Sequence, residues 1–530
     1  MLVSNNYNLK SMKKIFLILS IAVGLVSCND DVLQPYTPGA ITEDVAIQNS
    51  TDIQRLINSS MAIMTNREEY SFTSIFTDEA ALGSNNGGQG RTGSDGYFLY
   101  ALNPSSGAPA AIWSSNYFAL ARINRVLENV DKIVAFDAAD QQLLNRAKAE
   151  AYVLRALTHL KIMAYFSPDL KDDSALAGIL SNRIFTSTET PPLRSTNGEF
   201  YTLIHNDLNA ALAIFATNTA PAYSNASWYP SANLARALHA RAYAYKGDYT
   251  NAESWADQVI NGSGINLATP AQLASVFHQN TSAANVEVIF KLRRTVQQNS
   301  QATNLHNGYV SVSNARNGSP FYEVSRSLYE FLAATPGDAR LNITVRPSGG
   351  SAGSLIDPNP SASTDIRNSD ILVPFKAGGS VATTSTNGFN PDFIQVRLAE
   401  MYFIKAEARA NASDFIGVRT ALQTIVNNRF TVPPVVALPT NQANAFKAIL
   451  DERRKELAFE GHRFIDLKRL YSVAGVSQFD RSILDYGAQY WSLPGADPAN
   501  FPFAGNNKWA LPIPQSETNA NSSIQQNTGY

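Results

Sequence analysis

The chain has 530 residues, of which 44% are hydrophobic and 10% aromatic, enough apolar material for a large core. Its formal net charge is −2, so the composition shows no excess of positive charge that would indicate nucleic-acid binding. Charged residues are only 16%, while Asn, Ser, Thr and Gly are plentiful. A surface rich in neutral hydrogen-bonding groups suits ligands such as sugars, although many secreted proteins share it. The six histidines and the single cysteine show no zinc-ligand spacing.

The N-terminal segment has the layout of a secretory signal. Lys13 and Lys14 precede an apolar run over residues 15–26, and small residues follow. As a helix with a rise of 1.5 Å per residue, this run reaches about 20 Å, which is short of the roughly 30 Å hydrocarbon core of a bilayer. The segment is therefore predicted to target the chain and not to span a membrane. Met12 is an alternative start of the chain.

Cys28 is the only cysteine, and it ends the sequence Leu-Val-Ser-Cys, which resembles a bacterial lipobox. In that interpretation Cys28 is lipidated and becomes the mature N-terminus. The alternative is a plain signal peptide followed by an incidental cysteine. We favour lipidation because a lone thiol cannot form an internal disulfide and stands where the lipid is attached. The acidic pair Asp30-Asp31 resembles the surface-export signal of Bacteroidetes lipoproteins.

Helical periodicity dominates most of the remaining chain. A pattern over residues 41–80 has Ile53, Leu56 and Ile57 on one side. The next helices are predicted over residues 112–130, 141–166 and 200–215, the second of them ended by Pro168.

Two helical hairpins resemble tetratricopeptide repeats. The first has apolar stripes over residues 235–245 and 252–259, with a turn at Gly247. The second places Ile394, Leu398, Tyr402 and Ala406 on one helix, turns near residues 411–414 and continues through Ile425. Because roughly 130 residues separate the two hairpins, the predicted solenoid is interrupted and not continuous.

The insert between the hairpins, about residues 262–390, is rich in turns. It contains a strand-like run at 286–290 and a Gly/Ser/Pro-rich stretch at 348–363. Upstream, Gly88, Gly90 and Gly93 spell GxGxxG. A dinucleotide fingerprint needs a strand before it and a helix after it, whereas here Asn residues precede the motif and Ser94-Asp95-Gly96 follows, so we interpret it as a loop. A last strong helix is predicted over residues 446–460, closed by Gly461, and an irregular tail follows residue 471.

Several of these segments together resemble the SusD/RagB family of Bacteroidetes outer-membrane lipoproteins. The resemblance lies in residues 113–124 (WSSNYFALARIN), 149–166, 392–410 (DFIQVRLAEMYFIKAEARA), 451–469 (DERRKELAFEGHRFIDLKR), 511–514 (LPIP) and 526–530 (QNTGY). It covers essentially the whole mature chain. One departure is Thr528, where the family ending has proline, and this concerns packing at the terminus.

The resemblance implies a mostly α fold: a tetratricopeptide-like hairpin scaffold with long loop-rich inserts and a few short strands. The implied layout is a lipoprotein signal peptide at 1–27, a lipidated tether at 28–50 and a single domain at 51–530. Within that domain lie helices at about 112–261 and 392–430, the insert at about 262–390 and a C-terminal region at about 445–530.

The function that the resemblance implies is glycan capture at the cell surface. The lipoprotein would be lipid-anchored to the outer membrane and would pass oligo- or polysaccharide to a SusC-like TonB-dependent transporter. No catalytic residue, cofactor or nucleic-acid partner is predicted, and a structural calcium ion cannot be read from the sequence. Two alternatives stay open: a RagB-like lipoprotein that captures peptide or glycopeptide, and a surface enzyme that degrades glycans.

Candidate ligand residues are loop aromatics beside amide and guanidinium groups, because sugars present apolar C–H faces together with hydroxyls. They fall in two regions, before the helix at Trp113 and in the central insert. The residues are Arg91, Tyr97, Phe98, Tyr100, Asn103, Tyr309, Asn314, Arg316, Phe321 and Tyr322. Trp113, Trp255 and Tyr402 lie on helical stripes and are expected in the core.

The densest charge cluster contains Arg453, Glu456, Glu460, Arg463 and Asp466. Glu456 and Glu460 are spaced i,i+4, but the interleaved arginines favour ion pairing over a catalytic carboxylate pair. Glycoside hydrolysis needs one raised pKa and a defined gap of about 5–10 Å across a cleft. His462 is expected to cap or pack and not to act as a base.

Overall fold

The computed structural model describes residues 46–65, 67–82, 94–186, 188–224, 226–278, 286–294, 322–345, 372, 374–377, 392–482, 485 and 501–530. Residues Asn49–Tyr530 form one compact unit, which contains every element named below. The helices, numbered along the described chain, are α1 Ser50–Met64, α2 Glu68–Phe76, α3 Ser94–Phe98, α4 Gly107–Asn129, α5 Ala138–Phe166, α6 Asn197–Thr217, α7 Ala232–Lys246, α8 Tyr249–Gly262, α9 Pro270–His278, α10 Arg326–Ala333, α11 Ala339–Thr344, α12 Leu398–Asn411, α13 Phe415–Asn427, α14 Gln442–Leu457, α15 Arg463–Leu470 and α16 Gln515–Ala520.

Among the described residues, four short strands form two antiparallel pairs: β1 Ala80–Leu82, β2 Val288–Leu292, β3 Tyr322–Val324 and β4 Phe393–Arg397. In the first pair Ala80 lies opposite Val324 and Leu82 lies opposite Tyr322. In the second pair β2 runs against β4 with two irregularities in register. The mostly α fold with few short strands is confirmed. None of the helices among the described residues combines the length and the apolar character that crossing a bilayer requires.

The two predicted hairpins are present as α7–α8 and α12–α13, and they use the same turn chemistry. Gly247 and Ser413 both adopt left-handed backbone conformations, with φ of 82° and 57°. The next residue in each hairpin, Asp248 or Asp414, then accepts a hydrogen bond from a backbone N–H of the following helix. The helix α8 packs against α12, so the two hairpins are adjacent in space although the insert separates them in sequence.

The helix α5 is the central support of the N-terminal half, and it packs against α4 on one side and α6 on the other. Its second half is almost entirely buried. Arg155 on α5 and Asp207 on α6 form a two-point ion pair, with both nitrogen–oxygen distances 2.7 Å. At the end of the chain, the Asn527 side chain donates to the carbonyl of Phe166 at 2.8 Å and fastens the tail to the last residue of α5.

Three sequence predictions need correction. Residues 41–80 do not form one helical segment, because within their described part α1, α2 and β1 follow one another. Ile394 lies in β4 and not on the helix, which begins at Leu398. The helix predicted to reach residue 460 ends at Leu457 and a separate helix starts at Arg463, because Phe459 and Gly461 between them both have positive φ.

Candidate functional site

The strand pair β1–β3 brings together the two regions predicted to carry ligand residues. One region leaves β1 directly after Leu82, and the other enters β3 directly at Tyr322. These two residues are register partners, so the ends of both segments lie side by side at one sheet edge. The candidates Arg91, Tyr309, Asn314, Arg316 and Phe321 lie outside the described residues.

Buried charges hold this sheet edge against the scaffold. The Ser325 hydroxyl donates to the Asp78 carbonyl at 2.6 Å, and the Ser325 N–H donates to the Glu79 carbonyl at 2.9 Å. The Asp78 carboxylate accepts two hydrogen bonds from Arg463, at 2.7 and 2.8 Å. Burial by itself would raise the pKa of the Asp78 carboxyl, but the guanidinium groups of Arg454 and Arg463 hold that pKa well below its ordinary value.

Tyr97, Phe98 and Tyr100 belong to the core, which corrects their assignment as ligand residues. All three are buried. Tyr100 packs in parallel on Phe479 at 5.6 Å between ring centroids, and the Arg481 guanidinium lies 4.1 Å from the Phe98 ring centroid. Because protein covers these ring faces, they cannot stack on a sugar in this structure. They anchor the start of the described segment 94–186 in the core.

The sequence gives no local signal for this burial. The partners Phe479 and Arg481 lie almost 400 positions further along the chain, and Arg481 also binds the carbonyls that end α2. Those carbonyls belong to Ile75 and Phe76, whose orphan acceptors at a helix C-terminus need a donor. An aromatic run beside a loop therefore fits a core position as well as a ligand face.

Asn103 and Tyr322 are placed differently. Asn103 is exposed, and its side-chain oxygen accepts a hydrogen bond from the Ser105 N–H at 2.8 Å, which shapes a local turn. Tyr322 is half-buried at the sheet edge itself. Both stay candidates for contact with a ligand.

Trp113, Trp255 and Tyr402 were expected in the core, and they divide into two groups. Trp113 is buried, and its indole N–H donates to Glu517 at 3.0 Å. Trp255 and Tyr402 are only half-buried. The Trp255 ring lies parallel to His239 with a centroid distance of 4.2 Å, so one face of it is covered by that imidazole.

Glu456 and Glu460 lie at the centre of a buried ion cluster, and both pair with arginine, as the sequence predicts. Arg397 contacts Glu456 at 2.9 Å and Glu460 at 2.7 Å, and Arg429 contacts Glu456 at 2.8 Å. Glu287, which directly precedes β2, also pairs with Arg429, at 2.9 Å. Burial favours a raised pKa for the Glu456 carboxyl, but Arg429 and Arg397 outweigh it and hold the pKa well below its ordinary value.

The partners in this cluster are not the ones that helical spacing predicts. Arg453 pairs with Asp466 at 2.7 Å, and Arg463 pairs with Asp78, so neither neutralises Glu456 or Glu460. The pairing is set by tertiary structure. His462 begins α15 without a side-chain cap, and burial lowers the pKa of its imidazole to about 4, so it is neutral at pH 7.

Within the described part of the chain, no group of three or more His, Cys, Asp or Glu side chains is arranged to hold a metal ion. At β1–β3, the two segments that carry candidate ligand residues adjoin one sheet edge.

Comparison with known proteins identifies the family to which this chain belongs. Residues 242–530, more than half of the chain, match the model of the SusD family. The chain belongs to the SusD family. Residues 41–244 match a second model, described as starch-binding and associating with the outer membrane.

Relatives of this SusD-family chain are distant in sequence and close in length. A SusD-like protein P2 from Formosa agariphila is 23% identical over 98% of this chain and 100% of its own. A SusD superfamily protein from Bacteroides thetaiotaomicron superposes with a TM-score of 0.70 at 23% identity, covering 90% of this chain and 99% of its own. A laminarin-binding SusD-like protein gives a TM-score of 0.66 at 21% identity, covering 91% and 100%. These structures share the fold.

Proposed function

We propose that this protein is a non-catalytic glycan-binding lipoprotein of the cell surface. It captures oligo- or polysaccharide and delivers it to a SusC-like TonB-dependent transporter in the outer membrane. The observation that carries the proposal is the pairing of Leu82 with Tyr322. One candidate ligand segment begins after Leu82 and the other ends at Tyr322, so both adjoin one edge of a SusD-family scaffold.

The chemistry of the two segments fits a saccharide. Aromatic rings pack on the apolar face of a sugar, while amide and guanidinium groups bind its hydroxyls. After the three buried aromatics are removed, the proposed ligand residues are Arg91, Asn103, Tyr309, Asn314, Arg316, Phe321 and Tyr322. Two similarities add support: the match to the starch-binding family model and the likeness to the laminarin-binding protein.

The proposed membrane attachment is through lipid on Cys28. Residues 28–49, fully extended, would span about 70 Å, so the tether has ample reach for the domain to sit over a transporter. Acyl chains contribute about 0.8 kcal/mol per buried methylene, and several chains hold a soluble domain durably on a bilayer.

The state of the buried carboxyl groups supports a binding role over hydrolysis. Glu456 and Glu460 are ion-paired and their pKa values are lowered, whereas a general acid needs a raised pKa. Burial does raise the pKa of Glu79 and of Glu150 to about 7. Both side chains are enclosed, with at most 1% of their surface exposed, so a polysaccharide cannot reach them in this structure.

Affinity electrophoresis in gels containing laminarin or starch tests the proposal. We expect retardation by at least one polysaccharide, with no release of reducing ends. Tyr309→Ala should weaken binding by about 1–3 kcal/mol if its ring stacks on the ligand, by analogy with base stacking on aromatics. Phe136→Ala is the matched control, because Phe136 is 92% exposed in the connection between α4 and α5.

Released sugar would contradict the binding role and favour the enzyme. Retention of peptides without retention of any glycan would favour the peptide-capturing alternative. Independently, Cys28→Ala should move the folded protein from the membrane fraction to the soluble fraction, and unchanged fractionation would refute the lipid anchor.

A further inference from the structure

A cleft of about 310 Å³ lies beyond the C-terminal end of α5. Its walls come from residues 168–171, from Tyr245 on α7, from the end of α15 and the turn after it, and from Gly505, Asn506 and Trp509. Its volume is within the range of small-ligand sites. None of its lining residues belongs to the β1–β3 edge. The side chains that matter here are Asp169, Lys171, Lys468, Arg469, Tyr471 and Trp509.

One wall is aromatic and rigid. Tyr471 lies nearly parallel to Trp509, with 5.9 Å between centroids and 9° between planes, and Phe503 meets Tyr471 edge-on at 5.6 Å. Trp509 is buried, and its indole N–H donates to the Phe503 carbonyl at 3.0 Å. Tyr471 is half-buried, so part of its side chain reaches the cleft from a fixed position. An apolar surface of this kind suits the C–H face of a sugar ring.

Lys468 supplies a charge whose direct contacts are carbonyl oxygens, with only the longer-range attraction of Asp169 to offset it. Its ammonium donates to the carbonyls of Ala164 and Ser167, and it forms no ion pair among the residues that the structure describes. An ammonium has three N–H donors, so one stays available for a ligand. Burial lowers the pKa of Lys468 to about 7, which Asp169 counteracts in part. The charged form is therefore costly unless an anion enters the cleft.

Two further cations line the same space. Lys171 is exposed, and partial burial together with the like charge of Arg469 lowers its pKa. Arg469 is buried and paired with Glu407 at 3.0 and 3.1 Å. Its Nε–H is buried with no hydrogen-bond partner among the described residues. Against these cations the cleft offers one carboxylate, that of Asp169.

We infer that this cleft binds an acidic saccharide, a sugar whose ring packs on Tyr471 and whose carboxylate or sulfate group pairs with Lys468 and Lys171. Asp169 and Ser472 are available to accept hydrogen bonds from its hydroxyls. The inference rests on the proposed glycan capture and names a substrate class for it. It also gives the chain a second sugar site, separate from the β1–β3 edge.

Isothermal titration calorimetry of the full mature chain tests the inference with four probes: an oligogalacturonate, a sulfated oligosaccharide, a neutral laminari-oligosaccharide and inorganic sulfate. We expect at least one acidic saccharide to bind at least tenfold more tightly than inorganic sulfate. Lys468→Met should weaken that binding by about tenfold or more, since a charge-assisted hydrogen bond is lost. Neutral saccharide binding should not change.

The exposed Lys171 provides a variant that is safe for folding, and Lys171→Gln should weaken acidic-saccharide binding by several-fold. Lys447→Gln is its matched control, because Lys447 is an exposed lysine on α14 that pairs with Asp451.

A pH series tests the role of Lys468 specifically. Acidic-saccharide affinity should fall between pH 6.5 and pH 8.5 in the wild type as Lys468 loses its proton, and this slope should be absent in Lys468→Met.

The outcomes separate the two proposals. Equal affinity for neutral and acidic saccharides, or unchanged affinity in Lys468→Met, would overturn the acidic-saccharide site while leaving glycan capture intact. Binding of inorganic sulfate as tight as that of the sulfated saccharide would also overturn it, because the sugar would then contribute nothing. Retention of no saccharide of any kind would instead refute glycan capture itself.

Discussion

Two groups of charged side chains differ in whether each charge has a partner of opposite sign. Around Glu456, the arginines and glutamates are enclosed and paired, with Arg397 and Arg429 at most 1% exposed. At the cleft beyond α5, Lys468 is half-buried, with carbonyl partners but no ion pair among the described residues. Both groups use residues from the same C-terminal part of the chain.

The difference teaches how to separate a structural charge from a binding charge. In the paired cluster each ion compensates its neighbour, so removal of one leaves the other buried and alone. At the cleft the ammonium has no ion pair among the described residues and only the longer-range attraction of Asp169, so its removal relieves a penalty. An anionic ligand that pairs with the Lys468 ammonium would explain why the fold retains this charge. Stability measurements on single variants can therefore break or sharpen this comparison.

The largest effect is expected for Arg429→Met. Arg429 contacts both Glu287 and Glu456, and its loss would leave two buried carboxylates with reduced compensation. We expect a loss of about 3–5 kcal/mol in the free energy of unfolding, measured by urea denaturation. Adding Glu287→Gln to this variant should recover part of the loss, since one uncompensated charge is removed. A loss below about 1 kcal/mol would show that the cluster does not depend on its pairing.

A much smaller effect is expected for Lys468→Met. Two hydrogen bonds to the end of α5 are lost, each worth about 0.5–1.5 kcal/mol, but a costly buried charge disappears with them. The net change should stay within about 1 kcal/mol at pH 7. A loss comparable to that of Arg429→Met would make Lys468 a structural charge like those in the cluster.

The same variant makes a prediction about pH. The pKa of Lys468 is lowered to about 7 in the folded protein, while the unfolded chain keeps its proton up to pH 10.5. The unfolded state therefore binds more protons between these values, and wild-type stability should rise with pH across this window. The thermal midpoint of Lys468→Met should lack this rise. Parallel pH profiles for the two proteins would contradict the assignment.

The smallest effect is expected for Lys447→Gln. Lys447 and Asp451 form an i,i+4 ion pair on the surface of α14, with 51% and 36% of their side chains exposed. Because solvent screens such pairs, the free energy of unfolding should change by less than about 0.5 kcal/mol. This variant gives the baseline for the other two, and a larger change would mean that exposure is not what distinguishes the regions.

Much of the scaffold could be predicted from sequence because it is built from local patterns. The hairpin α7–α8 follows from apolar spacing around Gly247, and α5 follows from its stripe of alanines and leucines up to Pro168. Strand β4 was missed because it is five residues long, is buried on both faces and runs directly into α12. A continuous apolar run of that length does not separate strand from helix by period.

The candidate site was predictable only in part. Two segments of mixed aromatic and polar residues were evident, but their meeting at Leu82 and Tyr322 depends on a strand pairing across 240 positions. The burial of Tyr100 against Phe479 depends on contacts even more remote in sequence. The cleft at Lys468 was not predicted at all, since its walls come from four separate parts of the chain.

The sequence by itself determined the secretory signal pattern, the single cysteine, the helical character and the hairpin turns, because each depends on residues a few positions apart. Tertiary structure alone decided which carboxylate each arginine neutralises, which aromatic rings are covered, and that Lys468 is half-buried without an ion pair among the described residues. The physical reason is that burial and charge compensation are properties of the space around a side chain, and that space is filled by residues from distant parts of the chain.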